Sequence, residues 1–415
     1  MPLIASAPFV AVILLIAILP LALPTFWKKN RNKALLIALI SLPILIYLLI
    51  NFRPELWHTV RDYLSFIILL ASLYIISGGI MIRGDIKATP AVNTAFLIIG
   101  AVIANLIGTT GASMVLIRPL LRTNGERNNT GHIPLFFIFI VSNIGGLLTP
   151  IGDPPLFLGY LNGVPFTWTL RLFPIWIITL AIVLAIFYIW DTLAYKKETS
   201  SAIARDINLV QPLKFSGIIN IFFLIGVVLS VALQFPSPYR ELIMVIMALL
   251  SLLFSKKKDR EENRFTFHPI SEVAILFAGI FITMVPILIY LHLNSAQFGI
   301  TKPWQFFWCT GGLSSFLDNT PTYITFFSMA QGVTQSAQNV GIPVVAGVQA
   351  DLLHAISCGA VFMGANTYIG NGPNFMVKSI AEEQHVKIPH FFAYMAYSGL
   401  ILIPIFILVT FIFYR

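Results

Sequence analysis

The sequence predicts an all-α integral membrane protein with ten spanning helices and two re-entrant hairpins, arranged as two inverted-topology repeats with broken helices. Apolar residues make up 57% of the 415 and charged residues only 10%, whereas soluble globular proteins carry about 25% charged residues. Apolar runs recur along the whole chain, and the mean hydropathy is +0.86. One motif also occurs twice. These observations argue against a soluble enzyme and exclude a disordered chain or a disulfide scaffold.

The predicted spans come from apolar runs, because a membrane-crossing helix needs about 20 apolar residues. Two further runs, 91–117 and 303–331, are interrupted by polar residues near their middles, and we interpret them as re-entrant hairpins. The ten predicted spans are 8–24, 34–51, 63–82, 133–160, 170–190, 215–233, 240–255, 271–291, 351–377 and 391–414.

The orientation follows from the distribution of basic residues. With both interrupted runs as hairpins, 20 of the 26 Lys and Arg residues fall on one side, and cytoplasmic loops carry such an excess. The split becomes 19 to 7 if the second run crosses, and 11 to 15 if both cross, so charge decides only the first hairpin. We therefore predict a cell (inner) membrane protein with both termini outside. The predicted cytoplasmic loops are 28–33, 83–90, 118–132, 191–214, 255–270 and 378–390.

This asymmetry also accounts for the formal net charge of +9. A basic face against membrane lipid explains the charge, so no nucleic-acid partner is needed.

A motif repeat decides the second hairpin. The stretch T-P-I-G-D-P-P-L-F at 149–157 matches T-Y-I-G-N-G-P-N-F at 367–375 with a constant offset of 218, which aligns Asp153 with Asn371. More loosely, the tripeptide at 108–110 lies opposite the tripeptide at 318–320.

The repeat predicts two halves, 1–191 and 215–415, joined by a cytoplasmic linker at 192–214. Five crossings per half is an odd number, so the second half is predicted to be inverted. Inverted repeats with a site near the bilayer midplane are typical of secondary transporters. The alternative is that the repeated motifs only help the helices to pack.

Both motif regions lie in segments that cannot form one straight helix. Residues 133–160 would extend about 42 Å at 1.5 Å per residue, against a hydrocarbon core of about 30 Å. They contain several Pro and Gly residues, which break helices. We predict a helix at 133–141, an unwound stretch and a second helix at 156–161, with a similar break in 351–377.

Each hairpin tip and the break in its own half are predicted to form one polar cluster of hydroxyl, amide and carbonyl oxygens. Such oxygens can coordinate a cation, and the N-termini of half-helices can attract anions. For the Ser, Thr and Asn residues the alternative is capping of short helices. The candidate ion- or substrate-binding residues are Asp153, Asp318, Asn319, Thr320, Asn105, Thr109, Thr110, Asn143, Thr149, Asn366, Thr367 and Asn371.

Asp153 and Asp318 are the strongest candidates. A carboxylate at the centre of a membrane helix costs about 2.5–3.5 kcal/mol, and no Lys or Arg is close to either in sequence. A bound cation or a proton can offset this cost. We therefore predict a Na⁺ site at these two carboxylates and neighbouring backbone carbonyls. The alternative role for each is to cap unwound backbone.

The sequence gives little evidence for other functional sites. His354 and Asp351 are candidates for pH sensing, although a solvated or hydrogen-bonded pair at the membrane surface is the favoured alternative. The sequence contains no P-loop, no metal-ligand spacing of His and Cys, and no nucleophile constellation. We predict no enzyme activity and no cofactor other than transported Na⁺ (or Li⁺) and H⁺.

The motif S-N-I-G-G-L-L-T-P-I-G-D-P-P at 142–155 resembles the ion transporter superfamily, which holds citrate, arsenite and sodium/proton carriers. The tip D-N-T-P at 318–321 is similar to that of NhaD-type sodium/proton antiporters. The resemblance implies two hairpins, a transport domain that moves as an elevator, and a scaffold that often forms a homodimer. It also implies that the candidate residues form the binding site.

The residues leave the substrate open. Two carboxylates without a fixed positive charge favour Na⁺(or Li⁺)/H⁺ antiport. Half-helix N-termini and hydroxyl-rich tips would suit a citrate-like carboxylate or arsenite, with Na⁺ between the substrate and the carboxylates. The tripeptide at 108–110 departs from the Ser-Asn-Thr of the dicarboxylate carriers. A membrane scaffold or receptor without transport is the least favoured hypothesis.

Overall fold

The computed structural model describes residues 3–208, 210–336, 341 and 343–415. Residue 209 of the predicted linker and the first two residues of the first half lie outside this part. The α-helices are α1 (Ala7–Ala22), α2 (Pro24–Trp27), α3 (Asn30–Asn51), α4 (Arg53–Ser77), α5 (Pro90–Thr123), α6 (His132–Ile140), α7 (Pro154–Leu161), α8 (Phe173–Tyr195), α9 (Ser200–Asn208), α10 (Ile219–Ala232), α11 (Tyr239–Phe254), α12 (Lys257–Glu262), α13 (His268–Asn294), α14 (Pro303–Ser314), α15 (Asn319–Ser336), α16 (Ala350–Met363), α17 (Gly372–Glu383) and α18 (Phe391–Phe413). Short 3-10 helices occupy Leu3–Ser6, Ile144–Leu148, Phe166–Leu172, Ser295–Phe298 and Gly364–Asn366.

The helices confirm an α-helical membrane protein. Within the described residues seven helical stretches are long and apolar enough to cross a membrane, and α5 is one of them. Helices α10 and α11, both predicted to span, have 14 and 16 residues. The count of ten spans therefore stays a prediction.

Two small antiparallel sheets depart from a purely helical structure. Strand β1 (Met81–Arg83) pairs with β2 (Lys214–Ser216), and β3 (Val344–Val345) pairs with β4 (Val348–Gln349). The second pair is a tight hairpin, because both residues of its two-residue turn, 346 and 347, have positive φ. These strands lie in loops, where the apolar periodicity gave no signal.

Helix α5 folds back on itself at Gly108. This glycine has φ +77°, a conformation that other residues rarely adopt. Asn93 and Asn124 lie 31 positions apart, and a straight helix would separate them by about 46 Å. Instead their side chains exchange hydrogen bonds of 2.9 and 2.8 Å. The predicted segment 91–117 is therefore a helical hairpin with Gly108 at its tip, and its second arm continues to Thr123.

Helices α14 and α15 form the second hairpin. The break between them covers residues 315–318, and the rings of Phe306 and Phe326 pack with centroids 6.3 Å apart. These two rings lie at similar distances in sequence before and after the break. The interrupted run at 303–331 therefore also turns back at its polar middle.

Two pairs of short helices form the centre of the molecule. Helix α6 ends at Ile140 and α7 begins at Pro154, close to the predicted break between 141 and 156. Helix α16 ends at Met363 and α17 begins at Gly372. Every residue of α6 is buried. Helices α6, α7 and α8 begin 218 residues before α16, α17 and α18, which is the offset of the sequence motif.

The six basic loops are linked to one another at one end of the molecule. Sheet β1–β2 and side-chain contacts join each predicted cytoplasmic loop to another, which is what a common side requires. The side-chain contacts join Asn30 to His268, Arg83 to Asp259, the backbone of Ala88 to Asp206, Asn128 to Glu198, and Arg264 to Glu383.

Candidate functional site

The unwound stretch between α6 and α7 requires close approach of its backbone. A Cβ atom on Gly152 would lie 2.2 Å from the carbonyl oxygen of Gly146, and one on Gly370 would lie 2.6 Å from that of Gly364. Only glycine allows this packing. Each break is therefore a compact, buried turn, and within a membrane its non-helical backbone groups must face protein or a water-filled site.

The first hairpin tip is attached to the first break by backbone hydrogen bonds. The amide of Thr109 donates to the carbonyl of Gly152 at 2.8 Å. The hydroxyl of Thr149 donates to the carbonyl of Asn105 at 2.5 Å, and the Asn105 side chain accepts from the amide of Leu148 at 2.7 Å. Asn105 and Thr149 therefore hold the tip against the break.

The second tip makes two equivalent hydrogen bonds and one different one with the second break. The amide of Asn319 donates to the carbonyl of Gly370 at 3.2 Å, and the hydroxyl of Thr367 donates to the carbonyl of Ser315. The side chain of Asn366 donates to the Ser315 hydroxyl at 2.9 Å, while its Oδ1 is buried without a partner among the described residues. The hairpin residues involved are 210 apart, and those in the breaks are 218 apart.

Asp153 lies at the meeting point of the two tips and is completely buried. Its Oδ1 accepts from the Thr109 hydroxyl at 2.8 Å and from the Asn371 amide at 3.2 Å. Its Oδ2 accepts from the Asn319 amide at 2.5 Å. All three donors are neutral, so the carboxylate has polar support and no compensating positive charge among them.

Asparagine side chains connect the two breaks behind Asp153. The Asn143 amide donates to Oδ1 of Asn374 at 2.7 Å, and the Asn371 amide is 3.2 Å from Oδ1 of Asn143. The Asn374 amide donates to the carbonyls of Gly364 and Thr367 at 2.8 and 3.0 Å. This network makes one shared cluster around Asp153, whereas the sequence predicted a separate cluster in each half.

Asp318 has a different environment. Its Oδ1 accepts from the backbone amide of Thr320 at 3.0 Å, and its carbonyl accepts from the Thr322 hydroxyl. It therefore caps the N-terminus of α15. Asp318 also borders a small cleft whose other walls include Ile13 of α1 and Ile280 of α13. The Asp318 carboxylate thus makes a structural contact, and the residue is partly exposed beside this cleft.

One comparison identifies the type of protein. A family model with the description "Putative citrate transport" matches residues 1–414. The chain belongs to this CitMHS_2 family. It is a secondary transporter by family, in agreement with the predicted superfamily and with the prediction that it is not an enzyme. A search among curated proteins found no match. The closer likeness of the CitMHS_2 chain to NhaD-type antiporters stays a prediction.

Most of the candidates in this CitMHS_2 chain lie in the shared cluster or in the contacts between tips and breaks. Thr320 joins it weakly, with its hydroxyl 3.4 Å from Oδ1 of Asn319. Thr110 is half-buried beside Thr109, and its hydroxyl makes no hydrogen bond within the part of the chain that the structure describes. The candidate for which the geometry gives least support is therefore Thr110.

The two candidates for pH sensing do not form a pair with each other. The ring Nδ1 of His354 is 2.8 Å from the hydroxyl of Tyr414. Asp351 is exposed, and its Oδ1 accepts from the amide of Leu352 at 2.9 Å. Across the described residues no ion pair joins His354 and Asp351. A proton-sensing role for them stays a prediction.

Sequence reasoning missed Asn374. Its signal was present three residues after Asn371, but the repeat aligns it with an apolar residue, Leu156. The polarity was therefore specific to one half, and a search for features shared by both halves could not find it.

Sequence reasoning also missed a buried network at the basic end. The Arg127 guanidinium donates to Asp191 at 2.6 Å, and His132 Nε2 lies 2.9 Å from the same carboxylate oxygen. Beside them Glu198 accepts from the backbone amides of Asn128 and Asn129. Burial alone would raise the pKa of Glu198, but these amide donors lower it below its usual value.

Proposed function

We propose that this transporter exchanges Na⁺ or Li⁺ for H⁺ at Asp153. The observation that carries the proposal is the buried carboxylate surrounded by neutral donors from both halves. A carboxylate offers about four acceptor positions. Three are used by protein, two on Oδ1 and one on Oδ2, which leaves a position on Oδ2 for a proton or a small cation.

Among the described residues, the two basic side chains that flank the motif regions are paired with other carboxylates. Arg118 and Lys378 are the bases that flank the motif regions, and they pair with Glu383 and Glu382 at 3.8 and 2.6 Å. Burial of the uncompensated carboxylate favours protonation, and a bound cation favours the ionised form. The two ligands would therefore exclude each other at one site, which is the requirement for exchange.

We further propose that the halves are inverted repeats and that the hairpins and broken helices move together as an elevator. The support is that hydrogen bonds of Asp153 with Asn319 and of Asn143 with Asn374 join four short elements into one body. The two equivalent hydrogen bonds between each tip and its break support a common ancestry of the halves.

A citrate-like carboxylate is the second candidate substrate, and the family description favours it. Amide groups of the Asn cluster and the N-termini of half-helices could bind carboxylate oxygens. In this case Asp153 would hold a coupling Na⁺, because a carboxylate without a cation would repel an anionic substrate.

The deciding experiment uses purified protein in proteoliposomes with an imposed proton gradient and a fluorescent pH reporter. Na⁺, Li⁺, K⁺, citrate or arsenite is added in separate runs. Dissipation by Na⁺ or Li⁺ that is lost in Asp153→Asn and kept in Glu261→Gln, a change at an exposed residue of α12, supports cation/proton exchange. A response to citrate or arsenite with none to the cations alone assigns the chain to anion transport and rejects the antiport proposal.

A further inference from the structure

A groove of about 800 Å³ lies outside the candidate site, between α8 and the start of α18. Its walls are mostly apolar and include Ile189 and Leu193 of α8, which are 60% and 55% exposed, and Tyr397 of α18. Both helices are apolar enough to cross a membrane. The walls of this groove therefore face the lipid phase. We call it the basic groove because Lys197 and Lys387 also line it.

One end of the basic groove carries two lysines, Lys197 and Lys387, both exposed. Among the described residues neither lysine lies within 4.0 Å of a carboxylate oxygen, the distance that defines an ion pair. The basic groove thus has two unpaired positive charges at one end and hydrocarbon along its length.

The neighbouring acidic groups are already used elsewhere. Asp191 accepts from Arg127 and is in contact with His132, which itself lines the basic groove. Glu198 accepts from backbone amides of residues 128 and 129. Glu382 pairs with Lys378 at 2.6 Å. These contacts leave the two lysines of the basic groove to attract an anion from outside the protein.

We propose that the basic groove binds an anionic phospholipid, with its phosphate at Lys197 and Lys387 and an acyl chain along Ile189 and Leu193. Charge complementarity selects the headgroup, and the exposed apolar wall selects a lipid over a soluble anion. The loops around the groove belong to the end that is richest in Lys and Arg. In the predicted orientation this end meets the cytoplasmic leaflet, whose lipids are the more anionic.

Trp190 lines the basic groove and provides a reporter. The protein is reconstituted in phosphatidylcholine vesicles with increasing fractions of brominated phosphatidylglycerol, whose acyl bromines quench nearby tryptophan. Subtracting the signal of Trp190→Phe isolates this residue from the other six tryptophans. Brominated phosphatidylcholine measures quenching by lipids that contact the surface without selectivity.

The proposal predicts that brominated phosphatidylglycerol quenches Trp190 at a lower fraction than brominated phosphatidylcholine does. Replacing Lys197 and Lys387 by Gln should raise the fraction needed by about 30-fold, since each basic residue near an anionic surface contributes about fivefold. The control variant replaces Lys196 and Lys258, exposed lysines that do not line the groove, and removes the same charge. It should respond as the wild type does.

Three results would overturn the proposal. Equal quenching by the two brominated lipids would mean that the groove has no headgroup preference. An equal loss in the control variant would mean that overall charge, and not the groove, attracts the lipid. Relief of the phosphatidylglycerol quenching by millimolar inorganic phosphate would assign the two lysines to a soluble anion.

Discussion

The contact between Asp153 and Asn371 allows a sharp test, because these residues occupy equivalent positions in the two halves. In Asp153→Asn the remaining oxygen can keep the bonds from Thr109 and Asn371, while the new amide faces the amide of Asn319. One hydrogen bond to a charged group, worth about 1.5–3 kcal/mol, is lost, but so is the cost of burying that charge. We expect the free energy of unfolding of the ion-free variant to differ from that of the wild type by about 1–2 kcal/mol or less.

The stabilisation of the folded state by Na⁺ should change far more. A ligand at 100 times its dissociation constant stabilises the folded state by about 2.7 kcal/mol. If Asp153 binds Na⁺, the wild type should gain this amount from saturating Na⁺ and Asp153→Asn should gain none. The assay is thermal or denaturant unfolding in detergent, with choline replacing Na⁺ at constant ionic strength.

The reverse change, Asn371→Asp, brings a second carboxylate to Asp153. Its atoms would face Oδ1 of Asp153 across 3.2 Å, and two unit charges at this distance repel by about 5 kcal/mol at an effective dielectric constant of 20. We expect a loss of stability of up to about this size. The double exchange restores one carboxylate facing one amide and should recover about 2–3 kcal/mol of that loss as a coupling energy.

Two results would refute this reasoning. An undiminished Na⁺ response in Asp153→Asn would show that the cation binds elsewhere. If the double exchange loses as much free energy of unfolding as the two single variants together, the 3.2 Å contact carries no coupling.

Three further predictions follow from the structure. Gly152→Ala should unfold the site or abolish transport, because its Cβ would lie 2.2 Å from a carbonyl oxygen. Gly372→Ala, which has open space around its Cβ, should be tolerated. Measurement of the transport flux distinguishes the two variants. Glu198→Gln should lower the free energy of unfolding at pH 7 by about 1–2 kcal/mol. Because the folded-state pKa of Glu198 is lowered, this difference in stability between wild type and variant should disappear as the pH falls below about 4. A difference that is unchanged at pH 3 would contradict this prediction. Without the two native cysteines, a cysteine at Lys258 should react with an impermeant maleimide only from the side opposite to one at Lys302, and labelling of both from one side would reject the predicted topology.

The breaks could be predicted from sequence because their cause is local. Proline cannot continue a helix and glycine weakens it, so the composition around 142–155 predicts an interruption without knowledge of any neighbour. The predicted first helix ended at 141 and the observed one ends at Ile140. The second hairpin depended on similarity to the first, because charge hardly distinguished the alternatives.

The partners of each polar residue could not be predicted, because they come from distant parts of the chain. Asn374 bonds Asn143 across 231 positions, and Asp191 finds Arg127 across 64. Asp318 shows the same problem in another form. Its residue type and depth favoured an ion ligand over a helix cap, and only its bond to the Thr320 amide shows that it also acts as a cap.

The difference between the halves has a physical consequence for coupling. Equivalent positions hold Asp153 and Asn371, and the amide of the second donates to the carboxylate of the first. A carboxylate at both positions would place two like charges in contact, and an amide at both would leave no charge to bind a cation. One of each gives a single buried charge that both halves contact. If Asp153 binds the transported ion, as proposed, loss of the contacts from either half would change the affinity for that ion, so ion binding and the contacts between the halves at this site are thermodynamically linked.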